Sequence, residues 1–327
     1  MKYMRFADIS LQGGLLSREE CMQVLCAPDR DILTLLDAAY RVRHKYFGNT
    51  VQIQVLTNAK SGLCQEDCHY CSQSRISKAK IDKYPLISEE KLVSEALRAK
   101  DLDAKRFCMA LSGRKPTDTE IDSLCAVIAE IKNETGISTC CSIGLIDGDQ
   151  AKKLKAAGLN RVNHNLNTSE KYHSHICTTH TYQDRINTIS LCRATGLEIC
   201  SGGIIGQGES DEDIIDLLLA LREINPDSIP LNFLNPIKGT PLGGLAQNLT
   251  PRRCLKVVCL ARFLIPDREL RVAGGREQHI RTLQPMVLYA VNSIFVTGYL
   301  TTSGQPADEA IQMIADLGFE VEVEGAG

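Results

Sequence analysis

The chain has 327 residues, of which 43% are hydrophobic and 24% are charged, and its formal net charge is −3. This composition is typical of a globular protein with a large core and argues against disorder. The slightly acidic balance also argues against nucleic acid as a partner and leaves small molecules as the expected ligands.

The N-terminal sequence MKYMRFADIS lacks the apolar run of a secretion signal, and no stretch approaches the length of about 18 apolar residues that crosses a bilayer. We therefore expect a cytoplasmic protein with no membrane segment. The chain has fourteen cysteines. In a large cytoplasmic chain, where thiols stay reduced, they favour metal or redox chemistry over a disulfide framework.

After a mixed helical leader over roughly residues 5–47, short β-rich runs alternate with segments of helical period. That order is typical of parallel strands joined by helical crossovers, and it predicts eight strand–helix pairs. The predicted strands cover residues 51–56, 106–111, 137–143, 161–166, 198–205, 228–234, 269–273 and 293–300. The predicted helices begin near Ser88, Asp118, Asp147, Tyr182, Ser210, Thr250, Glu277 and Pro306.

The eight pairs predict an α/β fold, a (β/α)8 TIM-type barrel with a short helical N-terminal extension. We assign the extension to residues 1–47, the barrel to 48–320 and a C-terminal tail to 321–327. In such barrels the functional residues lie on loops and strand ends at the C-terminal face. Residues that directly follow a predicted strand are therefore the first candidates for a site.

The stretch CQEDCHYCSQS follows the first predicted strand and carries Cys64, Cys68 and Cys71. A structural zinc site normally has four ligands, and no second cysteine pair stands nearby. Three thiolates instead suit a four-iron cluster with one iron left open, although zinc-binding or incidental cysteines remain the alternative. The spacing, with Tyr70 before the last cysteine, resembles the signature of the radical S-adenosylmethionine (SAM) superfamily. That resemblance implies a 4Fe-4S cluster and SAM, with Tyr70 at the cofactor, and a 5′-deoxyadenosyl radical as the reactive species.

Three more cysteines lie on predicted strands, Cys108 on the second, Cys140 on the third and Cys200 on the fifth. If they point inward, they converge inside the barrel. Arg271 lies on the seventh predicted strand, and a cation inside a barrel needs an anionic partner such as a thiolate cluster. Each cysteine taken singly could equally be a packing residue, because free cysteine is among the most buried residue types.

The combination resembles the biotin synthase family, with a match over roughly residues 40–320. The matching segments are RFCM, NHNLNTS, TTHTYQDR, CSGGIIGQGE, IPLNFLNPIKGTPL, AGGREQ and NSIFVTGYLTT. The resemblance implies conversion of dethiobiotin to biotin by two radical hydrogen abstractions and sulfur insertion. It also implies a second cluster, a 2Fe-2S cluster that supplies the sulfur. Its implied ligands are Cys108, Cys140, Cys200 and Arg271.

Two further cysteines, Cys141 and Cys177, depart from the familiar family pattern and leave the iron count of the second cluster open. Neighbouring strand residues face opposite sides of a sheet, so Cys140 and Cys141 reach the interior together only at a bulge. We favour Cys140 as the ligand. Cys141 and Cys177 stand as alternative ligands of a larger cluster or as packing residues.

Asn163, Asn165 and Asn167 recur at period two and share one face of the fourth predicted strand. Since an unpaired buried amide costs a few kcal/mol, such a row indicates ligands, the alternative being outward amides near a loop. His164 is predicted to face away from them. We expect Asn163 and Asn165 at the substrate, and the resemblance places Asn165 also at the SAM ribose and Asn167 at that ribose.

The resemblance assigns other polar residues to the two small molecules. Arg185 would pair with the SAM carboxylate, a role suited to a guanidinium, and Gly203 lies in a SAM-contacting segment. Asn232 would bind the ureido ring of dethiobiotin, since an amide both donates and accepts. Thr301 and Thr302 would receive its carboxylate tail.

The resemblance also implies partners: a flavodoxin or ferredoxin as reductant, the iron–sulfur assembly machinery, and a second copy of the chain in a homodimer. Two rival functions remain. One is another radical SAM barrel enzyme, such as a methylornithine synthase or a hydrogenase-maturation enzyme. The other is a non-catalytic iron–sulfur carrier or metal-binding scaffold, which would leave the open coordination position unexplained.

Overall fold

The computed structural model describes residues 2–245 and 249–323. The leader forms three helices, α1 (Lys2–Leu11), α2 (Arg18–Leu25) and α3 (Ile32–Phe47), with a single 3-10 turn before the last of them. Ser17 starts α2 with a reciprocal cap, in which its side chain accepts from Glu20 N–H and the Glu20 carboxylate accepts from Ser17 N–H. The predicted helical leader is confirmed.

The strands that follow form one closed parallel barrel. Successive neighbours pair in chain order, and the first strand pairs with the ninth, from Gln52 opposite Ser293 to Val55 opposite Val296. The predicted (β/α)8 TIM-type barrel is thus confirmed. The strands are β1 (Thr50–Lys60), β2 (Arg106–Leu111), β3 (Ser138–Ser142), β4 (Arg161–Asn163), β5 (Glu198–Cys200), β6 (Gly203–Ile205), β7 (Ser228–Phe233), β8 (Glu269–Val272), β9 (Ser293–Val296) and β10 (Glu320–Val321).

The crossover helices start where the sequence predicts, because most are preceded by a residue whose side chain accepts from a first-turn N–H. Ser88, Thr117, Asp147, Ser210 and Thr250 all cap helices in this way. The helices are α4 (Glu89–Asp101), α5 (Asp118–Thr135), α6 (Gly148–Ala156), α7 (Glu170–Ile176), α8 (Tyr182–Ala194), α9 (Asp211–Ile224), α10 (Pro251–Leu264), α11 (Arg276–Ile280) and α12 (Ala307–Asp316).

Several local features differ from the predicted elements. The fifth predicted strand is broken into β5 and β6, both of which pair with β7. The eighth ends at Val296, because Thr297 takes a positive φ of 74°. The short helix α7 was not predicted. The C-terminal strand β10 pairs in parallel with β1, so the boundary assigned between residues 320 and 321 falls inside a strand.

Successive side chains of a strand point to opposite faces, and they therefore belong to two cores, one inside the barrel and one between the barrel and the helices. In β2, Phe107 and Met109 belong to the large core between the barrel and the helices, whereas Cys108 packs inside the barrel with Cys140. Cys141 faces the helix layer, where all the neighbouring core is apolar. Among the helices of the described ranges, none has the length and apolarity needed to cross a membrane.

Candidate active site

The loop between β1 and α4 brings Cys64, Cys68 and Cys71 to the wall of one cavity of about 400 Å³. The loop is held by its own backbone, since the N–H of Cys71 donates to the carbonyl of Cys68 at 3.2 Å. Burial raises the pKa of Cys71 to about 11 and also raises that of Cys64. These thiols are therefore protonated at neutral pH, and any metal that binds them must displace their protons.

Cys177 lies beside this loop, at the C-terminal end of α7. Its Sγ is 3.8 Å from Cys68 Sγ, 3.3 Å from His180 Nδ1 and 3.2 Å from Asp67 Oδ1. The hydrogen bond from the Cys68 thiol lowers the pKa of Cys177 and raises that of Cys68. Sequence reasoning named Cys177 as an alternative ligand of the second cluster. The structure instead places it next to the first cysteine loop, because the turn after α7 packs on that loop.

Two of the three strand cysteines meet inside the barrel. Cys108 and Cys140 are opposite each other on the paired strands β2 and β3. Cys200, on β5, accepts a hydrogen bond from Asn163 Nδ2 at 3.1 Å. Burial raises the pKa of Cys200, and the charge of Arg271 opposes that shift. Cys141, the other alternative ligand, points into the outer core instead, since β3 has no bulge there.

Arg271 is almost fully buried, with 1% of its surface exposed, and its guanidinium is fixed from several sides. It donates to Ser228 Oγ at 2.8 Å, to Ser293 Oγ at 3.2 Å and to the Glu269 carboxylate. The guanidinium carbon also lies 4.7 Å from the centre of the Phe295 ring. Arg271 lines the cavity together with Cys108 and Cys140.

An acid shared by two arginines lies beside these cysteines. Arg161 Nη1 donates to Glu269 Oε2 at 2.6 Å, and Gln54 Nε2 donates to Glu269 Oε1 at 2.6 Å. Burial alone would raise the pKa of Glu269, but the charges of Arg271 and Arg161 outweigh burial and hold the pKa well below its ordinary value. Glu269 therefore stays ionised, and the net charge of the three groups is positive.

The three asparagines all line the cavity, although β4 ends at Asn163. Asn165 Oδ1 accepts from Gly202 N–H at 3.0 Å. Asn167, at a positive φ of 71°, donates from Nδ2 to the hydroxyl of Tyr70 at 2.6 Å. His164 also lines the cavity, so its predicted outward orientation is wrong. Side chains alternate between the two faces only within a strand, and no sequence feature marked the end of β4 at Asn163.

Arg185, in the first turn of α8, lines the same cavity. Its Nη1 donates to the carbonyl of Asn165 at 2.8 Å, while its buried Nε has no hydrogen-bond partner among the described residues. A buried guanidinium N–H without an acceptor costs free energy unless a ligand supplies one. The site therefore fits an anionic ligand group at this point.

The glycine segment after β5 brings two backbones together. A Cβ on Gly202 would lie 1.9 Å from the carbonyl oxygen of Pro230, and one on Gly203 would lie 2.4 Å from Leu217. Gly203 accepts from Asn232 Nδ2 at 3.1 Å, but it does not itself line the cavity. Only glycine permits this approach, which sets Asn232 on the cavity wall.

Thr301 and Thr302 lie on the cavity wall after β9. The hydroxyls of Thr301 and Ser72 are 2.8 Å apart, which links the last barrel loop to the cysteine loop. Thr302 accepts through its carbonyl from Tyr299 N–H at 3.0 Å. Sequence reasoning did not single out Ser72 or Tyr299, although Ser72 lies in the stretch CQEDCHYCSQS and Tyr299 in NSIFVTGYLTT.

Thiols are thus arranged in two sets around one cavity. The three cysteines of the loop, Cys64, Cys68 and Cys71, face the cavity directly. Of the three strand cysteines, Cys108 and Cys140 face the cavity, and Cys200 lies behind Asn163. Soft thiolate ligands suit iron–sulfur clusters. The donor chemistry fits two clusters, and the unpaired Arg185 Nε fits an anionic small molecule between them.

Comparison with sequence families matches residues 60–221 to the Radical SAM superfamily and residues 230–320 to the Biotin and Thiamin Synthesis associated domain. The chain is 50% identical to the biotin synthase of Rhodopirellula baltica, over 98% of this chain and 89% of that protein. It is 48% identical to the biotin synthase of Bacillus subtilis, over 98% of this chain and 96% of that protein.

Among solved structures, methylornithine synthase superposes with a TM-score of 0.85 at 19% identity and covers 97% of both chains. The FeFe-hydrogenase maturase of Carboxydothermus hydrogenoformans gives a TM-score of 0.82 at 17% identity, over 99% of this chain and 80% of that one. These likenesses confirm the barrel fold. Superfamily membership implies SAM and a 4Fe-4S cluster, and the close relatives imply a second iron–sulfur cluster. At this identity over nearly its whole length, the chain belongs to the biotin synthase family of radical SAM enzymes.

Proposed function

We propose that this chain converts dethiobiotin to biotin by radical sulfur insertion. The observation that carries the proposal is the single cavity lined by the three-cysteine loop on one side and by Cys108, Cys140 and Arg271 on the other. A substrate held in that cavity touches both sets at once. Such an arrangement suits a reaction that removes hydrogen and then delivers sulfur to the same carbon.

In this proposal Cys64, Cys68 and Cys71 hold the 4Fe-4S cluster, and Tyr70, Asn165, Asn167 and Arg185 hold SAM. Gly203 lies outside the cavity wall and supports the SAM site through its backbone pairing with Asn167. When bound, the two clusters and SAM supply a 5′-deoxyadenosyl radical and the inserted sulfur. Arg185 presents its unpaired Nε–H to the carboxylate of SAM. The Tyr70 hydroxyl fixes the Asn167 amide, and that contact orients the amide toward a ribose.

The second cluster is assigned to Cys108, Cys140, Cys200 and Arg271. The outward orientation of Cys141 and the position of Cys177 beside Cys68 favour these four groups over a larger ligand set. Four ligands are the number that a 2Fe-2S cluster requires. The positive charge of the paired arginines suits an anionic cluster with thiolate ligands.

Dethiobiotin would lie between the two sets. Asn163 and Asn165 would contact it on the β4 side, and Asn232 would bind its ureido ring with the amide hydrogen that the Gly203 carbonyl leaves free. Thr301 and Thr302 would receive its carboxylate. Asn163 would also hold Cys200 in position through the hydrogen bond to Sγ.

The proposal includes partners and a compartment. Reductive cleavage of SAM requires a low-potential donor, for which a flavodoxin or a ferredoxin is the candidate, and cluster loading requires the iron–sulfur assembly machinery. All fourteen cysteines are free thiols, and free thiols persist in a reducing cytoplasm. A homodimer is the proposed assembly.

The test is anaerobic incubation of cluster-reconstituted protein with dethiobiotin, SAM and reductant, followed by measurement of biotin and 5′-deoxyadenosine. We expect both products from the wild type and neither from Cys68→Ala. Cys108→Ala should still form 5′-deoxyadenosine but lose biotin. The matched control is Cys192→Ala, which removes a fully buried thiol of α8 outside the cavity and should retain both products.

The outcomes separate the competing functions. 5′-Deoxyadenosine without biotin from the wild type would retain radical SAM chemistry but assign another substrate, as in a methylornithine synthase-like enzyme. Absence of both products from protein with verified iron and sulfide would contradict both enzyme functions and leave an electron carrier or metal scaffold.

A further inference from the structure

Cys68, Cys177 and His180 form a compact set of soft ligands that the proposed function uses only in part. Their ligand atoms all lie within 4.8 Å of one another, and in the ranges that the structure describes no other three His, Cys, Asp or Glu side chains do so. All three residues are buried. Cys64 and Cys71 lie outside this group.

The distances match those around a single tetrahedral ion. With zinc–sulfur bonds of about 2.3 Å and zinc–nitrogen bonds of about 2.05 Å, tetrahedral angles place two sulfurs about 3.8 Å apart and a sulfur and nitrogen about 3.6 Å apart. The observed separations are 3.8 Å for Cys68 Sγ and Cys177 Sγ and 3.3 Å for Cys177 Sγ and His180 Nδ1. Little movement would be needed to admit an ion.

The surroundings also suit a cation. Asp67 Oδ1 lies 3.2 Å from Cys177 Sγ, and Glu66 Oε2 lies 2.7 Å from His180 Nδ1. The other ring nitrogen of His180 is buried and has no partner in the described part of the chain. Two carboxylates therefore face the three ligand atoms, and either could supply a fourth oxygen ligand by a small shift.

We propose that the cluster-free chain binds one divalent transition-metal ion, zinc or ferrous iron, at Cys68, Cys177 and His180. In the bound state both sulfurs are thiolates, the Cys68 proton is released to solvent, and no oxidation state changes. Cys68 is also assigned to the 4Fe-4S cluster, and one thiolate cannot terminate both. The single ion and the cluster therefore exclude each other, a consequence that rests on the proposed function, whereas the ion site itself does not.

The test is a cobalt(II) titration of the reduced, cluster-free full chain, with Co²⁺ as the probe. We expect one equivalent to give a thiolate-to-cobalt charge-transfer band. Cys177→Ser should weaken binding at least tenfold and halve the band per ion, and His180→Gln should weaken binding and shift the ligand-field bands. The discriminating control is Cys71→Ser, which should bind like the wild type. Circular dichroism in metal-free buffer checks that each variant is folded.

A loss of the band in Cys71→Ser with its retention in Cys177→Ser would place the ion among the three loop cysteines and overturn the proposal. Absence of cobalt binding by the folded wild type would overturn it as well. A second measurement adds iron and sulfide to zinc-loaded chain. Zinc should slow cluster formation at least tenfold in the wild type but not in Cys177→Ser. If zinc binds through Cys177 without slowing cluster formation, the ion site stands and the assignment of Cys68 to the cluster fails.

Discussion

Arg185 shows how much a single residue can indicate about a ligand. Among the residues that the structure describes, its guanidinium has one hydrogen bond, to the Asn165 carbonyl, and its buried Nε has no acceptor. A residue of this kind is stable only if its environment supplies a charge or an acceptor at some stage of its working cycle. An arginine in the first turn of a helix is ordinarily a surface cation. The burial of its Nε is what indicates a ligand here, and the sequence does not reveal that burial.

We expect Arg185→Lys to raise the dissociation constant for SAM about tenfold. Lysine keeps the positive charge but loses the planar pair of donors, and a hydrogen bond to a charged group is worth about 1.5–3 kcal/mol. Equilibrium binding of SAM to cluster-loaded protein, at matched iron content, measures the effect. Arg193→Lys is the matched control, because Arg193 lies on the same helix and donates to the carbonyls of Ile224 and Asn225 outside the cavity. Equal affinities in the two variants would contradict the proposed role.

At the scale of elements, the sequence predicted the features that depend only on residues close together in the chain. Side-chain caps at Ser88, Thr117 and Ser210 located helix starts, and strand alternation separated Cys140 from Cys141. The contact between Cys68 and Cys177 could not be predicted in this way. It depends on the packing of α7, a helix of only seven residues with mostly polar residues, marked in sequence by little more than its cap.

The break between β5 and β6 is another non-local feature, because the constraint comes from β7. Gly202 lies where any Cβ would meet the carbonyl oxygen of Pro230 at 1.9 Å. A backbone atom in a barrel strand cannot rotate away as a side chain can. The predicted continuous strand over 198–205 is therefore interrupted by a neighbour that is distant in sequence.

Gly202→Ala should destabilise the cluster-free protein by at least about 2 kcal/mol, because overpacking against backbone forces the strands apart. The urea midpoint by circular dichroism measures the change. Gly148→Ala serves as control, since nothing lies within 4 Å of a Cβ there and the residue begins α6. The control should change stability by about 1 kcal/mol or less, toward greater stability. Equal midpoints for the two variants would show that the strands accommodate the methyl group.

At the scale of the whole molecule, one buried polar network connects strands from all around the barrel. Glu269 on β8 joins Arg161 on β4, Gln54 on β1 and Arg271 on its own strand. Arg271 in turn reaches Ser228 on β7. Removing one member of such a network leaves charges that have lost both water and partner.

Glu269→Gln should cost about 3–5 kcal/mol at pH 7, because it removes the carboxylate that pairs with the buried Arg271, whereas Arg161 keeps Glu198. The pKa of Glu269 is lowered in the folded state from its ordinary value of 4.5. Its stabilisation is therefore fully present above about pH 4.5 and declines as the pH falls toward the folded pKa. Urea unfolding of cluster-free protein at pH 7, 5 and 4 measures the difference between wild type and variant. The difference should narrow below pH 4.5, and a constant difference would contradict the argument.

The pairing of β1 with both β9 and β10 has a consequence for the order of events during synthesis. The strand that leads into the cysteine loop has β2 as an early partner, but it lacks its other partners until residues 293–296 and 320–321 have been made. Between Cys71 and Ser293 the ribosome adds over two hundred residues, which at about 5–20 residues per second takes about 10–45 s. The cysteines of the loop thus emerge long before the wall that shields them exists. Protection of these thiols by a chaperone or by the reducing medium must cover that interval, and iron can be inserted into a closed barrel only after these strands have been made.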